Sequence, residues 1–363
     1  MHGGDNTSMV SRIVQAAVVL AAVAAAVAPI APATVERWFS TGLYPRIQRT
    51  LTPVSNLLPF ALFDVLTTGG GVLVIVLLVR RIRTARRARQ WRPLLRTLGG
   101  LVTGAAAGYL VFLGLWGLNY RRLPMAERVV LDRPAPTVDD AVRLGLMAVE
   151  RLNALHGPAH EGGWQTEPHE DMALRAAFAE VQRQLSDAPV AVPGRLKSSL
   201  YGPYFRWSGV DGMVDPFALE VIRNPDLLPW EIASVAGHEW AHLAGYADES
   251  EASFVGWLTC LGGTVEAQYS GWFSIYWQVA GESGPAERAR LAQGLGDGPR
   301  RDIAAVVARM QRGQLPVVRN ASWRVYDQYL RANRVEEGIR SYGAVLTLIL
   351  RARFEDGWTP VRR

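Results

Sequence analysis

Apolar residues are unevenly spread along this chain, and the change in their spacing divides it. Three nearly unbroken apolar stretches occupy residues 13–33, 57–79 and 98–118. Each reaches the roughly 20 residues that a helix needs to cross the hydrocarbon of a bilayer. Beyond residue 118 apolar and charged positions alternate, as they do in a region that folds in water. The pattern predicts a mainly α protein: three N-terminal transmembrane helices, a linker rich in Arg and Pro over 119–136, and an α+β domain over 137–363.

Within that domain, Thr137-Val138-Asp139-Asp140 has the form of a helix start, and helical spacing continues to about residue 155. A second helix is predicted over 168–186. Residues 188–224 then bring many Gly, Pro, aromatic and β-branched residues, which predicts a small sheet or hairpin with extended pieces at 204–207 and 217–222. Pro229 and Glu231 open the next helix, which stops at Gly245. Residues 249–281 predict two strongly apolar helices. Glu266 would have to be buried in lipid if the second were a fourth span, so both are placed in the soluble part. Helical spacing returns at 285–295, 300–311, 320–332 and 336–355. The pair His156 and His160 flanks Pro158, which predicts loop residues rather than one helix face. Cys260, the single cysteine, lies in an apolar stretch and is expected in the core, with no disulfide to form.

Charge changes the picture in one respect. The formal balance is +6, yet residues 80–96 carry eight Arg and no acid, so subtracting those eight from +6 leaves −2 for the rest. The excess is local, which points away from nucleic acid and toward the surface of a lipid bilayer. The positive-inside rule keeps 80–97 cytoplasmic and so places 1–12 in the cytoplasm and 34–56 outside it. Everything after the third span is then extracytoplasmic, and the expected location is the bacterial plasma membrane. Segment 13–33 has a second reading as a signal peptide, with Ala31 and Ala33 forming an Ala-x-Ala site. Gly100, Gly104 and Gly108 recur every four residues and would let a neighbouring helix approach closely, as in a helix–helix oligomer. Asp64, near the outer end of the second span, is expected to be structural.

The chemistry centres on His238-Glu239-Trp240-Ala241-His242. Two histidines four apart on a helix present both imidazoles on one face, where they can bind one Zn²⁺. Glu239, beside the first, is placed to take a proton from water: the zincin arrangement. A chance match in a chain with six His has odds of about half a per cent for so short a motif. A third protein ligand is required, and Asp248, Glu249 and Glu251 all follow within reach. Asp248 would complete a metzincin-like pattern through Gly245, whereas Glu251 would be a gluzincin-like ligand on the next helix. Asp248 and Glu251 together also read as a helix cap with no metal role. Spacing leaves these open.

Pieces across most of the chain resemble an uncharacterised bacterial family of three-pass membrane proteins, a domain of unknown function with a His-Glu-x-x-His motif. They include Tyr44-Pro45, Pro59-Phe60, Asp64, Leu115-Trp116-Gly117-Leu118-Asn119-Tyr120, and Pro216-Phe217 with Glu220. They continue through the motif and Gly245 to Glu249-Ser250-Glu251-Ala252-Ser253-Phe254, Tyr326, Tyr329-Leu330 and Ser341-Tyr342-Gly343. In that family the acidic piece usually reads Glu-Asp-Glu-Ala-Asn-Phe, so Ser250 and Ser253 depart from it. The position of Asp248 is commonly basic there. The resemblance therefore implies His238, His242 and Glu251 as metal ligands, and it implies no substrate.

The expected function is a membrane-anchored zinc metallopeptidase, with Glu239 as general base and a peptide or protein as substrate. Tyr326, Arg340 or Tyr342 would supply the oxyanion donor, and Asp248 or Glu249 would steady the histidines. The strand predicted at 217–222 could be an edge that pairs with extended substrate. Two other classes fit the same motif: a zinc hydrolase of a non-peptide amide such as cell-wall material, and a membrane scaffold with structural zinc.

Overall fold

The computed structural model describes residues 3–335, 338 and 344–363. Three helices in it are long and apolar enough to cross a membrane, within Met9–Val27, Leu62–Arg87 and Pro93–Leu115. Their large apolar side chains, among them Leu20, Ile75 and Val102, face outward. So much exposed apolar surface on helices of this length suits a lipid surrounding and suggests a membrane protein. The bounds differ from the sequence expectation at both ends. The first helix stops at Val27 because Pro29 and Pro32 follow, and the second begins after Pro59 and continues into the arginines to Ala88.

The stretch expected as a loop over 34–56 is helical throughout. A π-helical turn, Glu36–Leu43, runs into the helix Tyr44–Asn56, whose buried face is Tyr44, Pro45, Gln48, Thr52 and Ser55. The linker expected over 119–136 is also built in. Met125 and Val129 are wholly buried, and Val130 exchanges backbone hydrogen bonds with Val361 and Arg353. A linker composition does not show a partner strand lying more than 200 residues away.

The soluble helices follow the expected order. Val138–Gly162 starts with a capping box between Thr137 and Asp140, and Met172–Leu185 is capped by Asp171. Pro229–Leu243, Glu249–Leu261 and Val265–Glu282 form the centre, with Trp240, Trp257 and Tyr269 wholly buried between them. Cys260 is buried there too. Pro285–Gly294, Asp297–Gly313, Pro316–Ala332 and Ala344–Arg351 complete the helical set. The helix expected over 336–355 ends earlier, at Arg351; residues 336, 337, 339–343 lie outside the described residues.

Helix Val138–Gly162 continues through Pro158, and this overturns the loop reading of His156 and His160. A proline forfeits one hydrogen bond and crowds the carbonyl four residues back. Near a helix end that cost is small, and the buried Ala159 keeps the last turn against the core.

The small sheet has three strands: β1, Leu196–Lys197; β2, Gly212–Asp215; and β3, Glu220–Arg223. Their order is β1-β3-β2, parallel for the first pair and antiparallel for the second. The expected edge strand over 217–222 is thus a correction: β3 is central, and β1 and β2 are the edges. Residues 204–207, read as extended, lie in the helix Gly202–Ser208, where a buried Phe205 sets the inward face. One core joins both halves of the chain. Phe39, Tyr44, Phe112 and Trp116 pack in the same cluster as Trp240 and Phe254.

Candidate metal centre

Site geometry begins at the two ends of the helix Pro229–Leu243. At its start, Glu231 accepts the backbone N–H of Leu228 (2.8 Å) and pairs with Arg309 (2.7 Å). Burial first, against the pull of Arg309, lifts its pKa to about 7. At its end the chain reverses at Gly245, whose φ of +85° belongs to the left-handed region. Three side chains from the N-terminal part hold this last turn. Tyr44 donates to the Leu243 carbonyl (2.8 Å), Trp116 Nε1 to that of His242 (3.0 Å), and Arg122 to that of Gly245 (2.7 Å).

The helix Glu249–Leu261 lies against the site helix at backbone contact. A Cβ on Gly256 would stand 2.7 Å from the His238 amide nitrogen, and one on Gly237 would stand 3.0 Å from the Gly256 carbonyl. Only two glycines at the crossing allow this approach, and it brings the first turn of the second helix beside the imidazoles.

The acid that arrives there is Glu249. His238 Nε2 and His242 Nε2 are 3.1 Å apart, and Glu249 Oε2 is 3.1 Å from the first and 3.4 Å from the second. Tetrahedral ligands at about 2.0–2.1 Å from one Zn²⁺ lie about 3.3 Å from each other. The donor set therefore fits a divalent ion in type and in spacing. Ring orientation fits as well. His242 donates from Nδ1 to the Tyr246 carbonyl (2.7 Å), so its neutral form turns the Nε2 lone pair inward. His238 Nδ1 is paired with Ser253 Oγ (3.1 Å). Such outer partners fix tautomer and ring angle.

Glu251, expected as the third ligand, is placed elsewhere. Its carboxylate accepts the Met125 backbone N–H and pairs with Arg128 (3.1 Å). On one helix, positions 249 and 251 point about 200° apart, so both cannot face the histidines. Asp248 is the N-cap, accepting from the amides of Ser250 (2.9 Å) and Glu251 (3.3 Å). Burial raises the pKa of both Asp248 and Glu251. Glu249 goes the other way: burial would raise it, but the charges and hydrogen bonds of His242 and His238 hold it well below the usual range. Reciprocally, Glu249 outweighs burial at His242 and lifts it to about 9.

Glu239 is 4 % exposed, and its Oε2 has no hydrogen-bond partner among the described residues. Burial pushes its pKa up, against the pull of the two histidines. The carboxyl packs on Gly212 of the edge strand β2, where a Cβ would stand 2.5 Å from Oε1. A buried carboxylate oxygen left unpaired costs free energy unless something else meets it. Of the expected oxyanion donors, Tyr326 reaches the site, where its hydroxyl donates to Glu249 Oε1. Arg340 and Tyr342 lie outside the described residues.

Sequence reasoning passed over Ser253, Tyr246 and Trp116 as supports of the histidines. Ser253 stands four residues after Glu249 on the same helix face, a signal that was available. Trp116 and Tyr44 carried no such signal, since their contacts span 126 and 199 residues. Asp64 has the structural place expected of it, accepting from Ser199 Oγ and the Leu200 amide.

The fold and site define a mainly helical protein with apolar N-terminal helices and a His–His–Glu cluster on two crossed helices. The chain belongs to the family described as protein of unknown function, DUF3810, which it matches over residues 39–350. No curated protein and no solved structure matches it.

Proposed function

We propose that this protein is a membrane-anchored zinc metallopeptidase in which His238, His242 and Glu249 hold the ion and Glu239 is the general base. The observation that carries this reading is the triangle of donor atoms at 3.1, 3.1 and 3.4 Å, with one buried oxygen of Glu239 that has no hydrogen-bond partner among the described residues. The ion would supply Lewis acidity toward a carbonyl and a lowered pKa for water.

This chain's own residues do the rest. Glu239 takes the proton of the attacking water and delivers it to the leaving amine; burial raises its affinity for that proton. Tyr326 orients Glu249 through its hydroxyl. Strand β2 pairs only with β3 among the described residues, so its outer edge is open to an extended peptide, which would cross directly over Glu239. His238 keeps 18 % of its side chain exposed, which gives the site an opening. The arginine-rich end of the second span holds that loop in the cytoplasm and turns the site outward.

A scaffold with structural zinc is the weaker reading, because such a site closes with a fourth protein ligand and needs no base. The test is zinc content and cleavage of peptide and cell-wall substrates by the full-length protein in detergent, wild type beside Glu239→Gln. The expected result is retained zinc with activity lowered about 10²–10⁴-fold. Equal activity in both proteins, or no zinc in either, overturns the proposal. Cleavage of cell-wall amides alone would move the substrate class and keep the mechanism.

A further inference from the structure

The continuation of a helix through Pro158 brings together a second cluster that the proposed reaction does not use. His156 and His160 stand one turn apart near the end of Val138–Gly162, with ring centroids 4.2 Å apart. Both Nε2 atoms converge on one oxygen of Asp302, which comes from the facing helix Asp297–Gly313. The distances are 2.9 Å from His160 and 3.6 Å from His156. That oxygen also accepts the hydroxyl of Tyr269, 2.6 Å away on the helix Val265–Glu282.

We infer that His156, His160 and Asp302 form a second divalent-metal site, of the zinc class, separate from the cluster at His238. Three observations support it. The donor set is two imidazoles and a carboxylate, which suits zinc and its neighbours. The contact of 3.6 Å is too long for a hydrogen bond, but 2.9 and 3.6 Å bracket the roughly 3.3 Å separation of ligands around one tetrahedral ion. Asp302 is 5 % exposed while the two histidines keep a solvent-facing side, so the anionic ligand is fixed and an ion can enter. The approach of the facing helix is close: a Cβ on Gly298 would stand 2.4 Å from the His156 ring.

An ion there would tie the helix Val138–Gly162 to the helix Asp297–Gly313, with a third helix held to them through Tyr269 and Asp302. It would also brace the start of the site helix, because His160 lies against Trp230 (5.8 Å between centroids) in that helix's first turn. Its role is structural support of the neighbouring site, and it requires no catalysis anywhere in the molecule.

The experiment uses the full-length protein in detergent, stripped with chelator and titrated with Zn²⁺ and with Co²⁺. The starting protein is His238→Ala/His242→Ala, so that the first cluster cannot contribute. One tightly bound equivalent is expected, with a Co²⁺ absorption band of a nitrogen–oxygen site and a higher melting temperature on metal addition. Adding His156→Ala, or separately Asp302→Asn, should abolish the equivalent, the band and the shift. Asn keeps the size of Asp302 and an acceptor for Tyr269, which guards against simple misfolding. No bound metal in the double variant overturns the inference. So does metal that stays bound after His156→Ala and Asp302→Asn.

Discussion

Trp116, at the end of the third apolar helix, donates its indole N–H to the main-chain carbonyl of His242 at 3.0 Å. A residue at the membrane end of the chain thus holds the backbone of a proposed ligand. Tyr44 does the same for Leu243. Replacing Tyr44 by Phe leaves that carbonyl buried and unpaired, with an expected cost of about 1–3 kcal/mol. Trp116→Phe should cost less, because the His242 carbonyl also accepts the Gly245 amide. Thermal melts in detergent check the order, and zinc titration should show weakened binding in both variants.

The choice of third ligand gives the sharpest contrast. Glu249→Gln should lose the ion bound by His238 and His242 while the protein stays folded. Glu251→Gln should keep the ion and lose stability, since it removes the nearer of two acidic partners from a nearly buried Arg128. Metal analysis of both variants in a His156→Ala background decides it, and the reverse pattern would restore Glu251 as the ligand.

Gly256 tests the helix crossing. In Gly256→Ala the new methyl meets main-chain atoms of Gly237 and His238 that cannot swing aside. The expected cost is about 1–3 kcal/mol, and zinc affinity should fall with it because Glu249 moves away. A stable variant with unchanged affinity would show that the two helices do not need this contact.

Lys197 and Glu220 form an ion pair with no exposed side-chain surface, at 2.7 Å. Lys197 also donates to the Ser55 carbonyl (2.7 Å), and Glu220 accepts the Phe63 amide (2.8 Å) at the start of the second span. Lys197→Met should destabilise by about 3–5 kcal/mol, because it strands a buried carboxylate. Lys197→Met/Glu220→Leu should recover part of that. Denaturation midpoints of the single and double variants measure the coupling.

Acid should loosen the contact of Glu36 with Arg122. Burial would raise the pKa of Glu36, but a two-pronged hydrogen bond from Arg122 (2.9 and 2.8 Å) and the charges of Arg122 and Arg128 hold it below the ordinary value. A carboxylate with a depressed folded pKa contributes stability above its unfolded pKa, near 4.3 for glutamate. That contribution is lost as pH falls through the lower, folded value. Glu36→Gln should therefore melt lower than wild type at neutral pH, with the gap closing under acid. A gap that does not change with pH would assign the effect to packing.

Much was legible in the sequence because it is local. Three apolar runs of bilayer length, the cap at Thr137, the stop at Gly245 and two histidines at helical spacing each depend on neighbours within a few residues. Membership of an uncharacterised family followed from short pieces of the same kind. Other features depended on distant partners. The stretch 119–136 looks like a linker until Val361 pairs with it, and Glu220 looks like an ordinary charged strand residue until Lys197 and the Phe63 amide reach it. Pro158 looks like a break until the buried last turn holds the helix together.

Among the acids the division is clearest. Asp248, Glu249 and Glu251 lie within one turn and share similar chemistry, so composition and spacing place a carboxylate near the histidines and go no further. Each step along a helix turns a side chain by about 100°, and only the crossing at Gly237 and Gly256 sets which of the three faces the imidazoles. Sequence by itself determined most of the long helices and the two-histidine face. Tertiary packing decided that Glu249 joins them, because direction in space is a property of two helices in contact and not of either one alone.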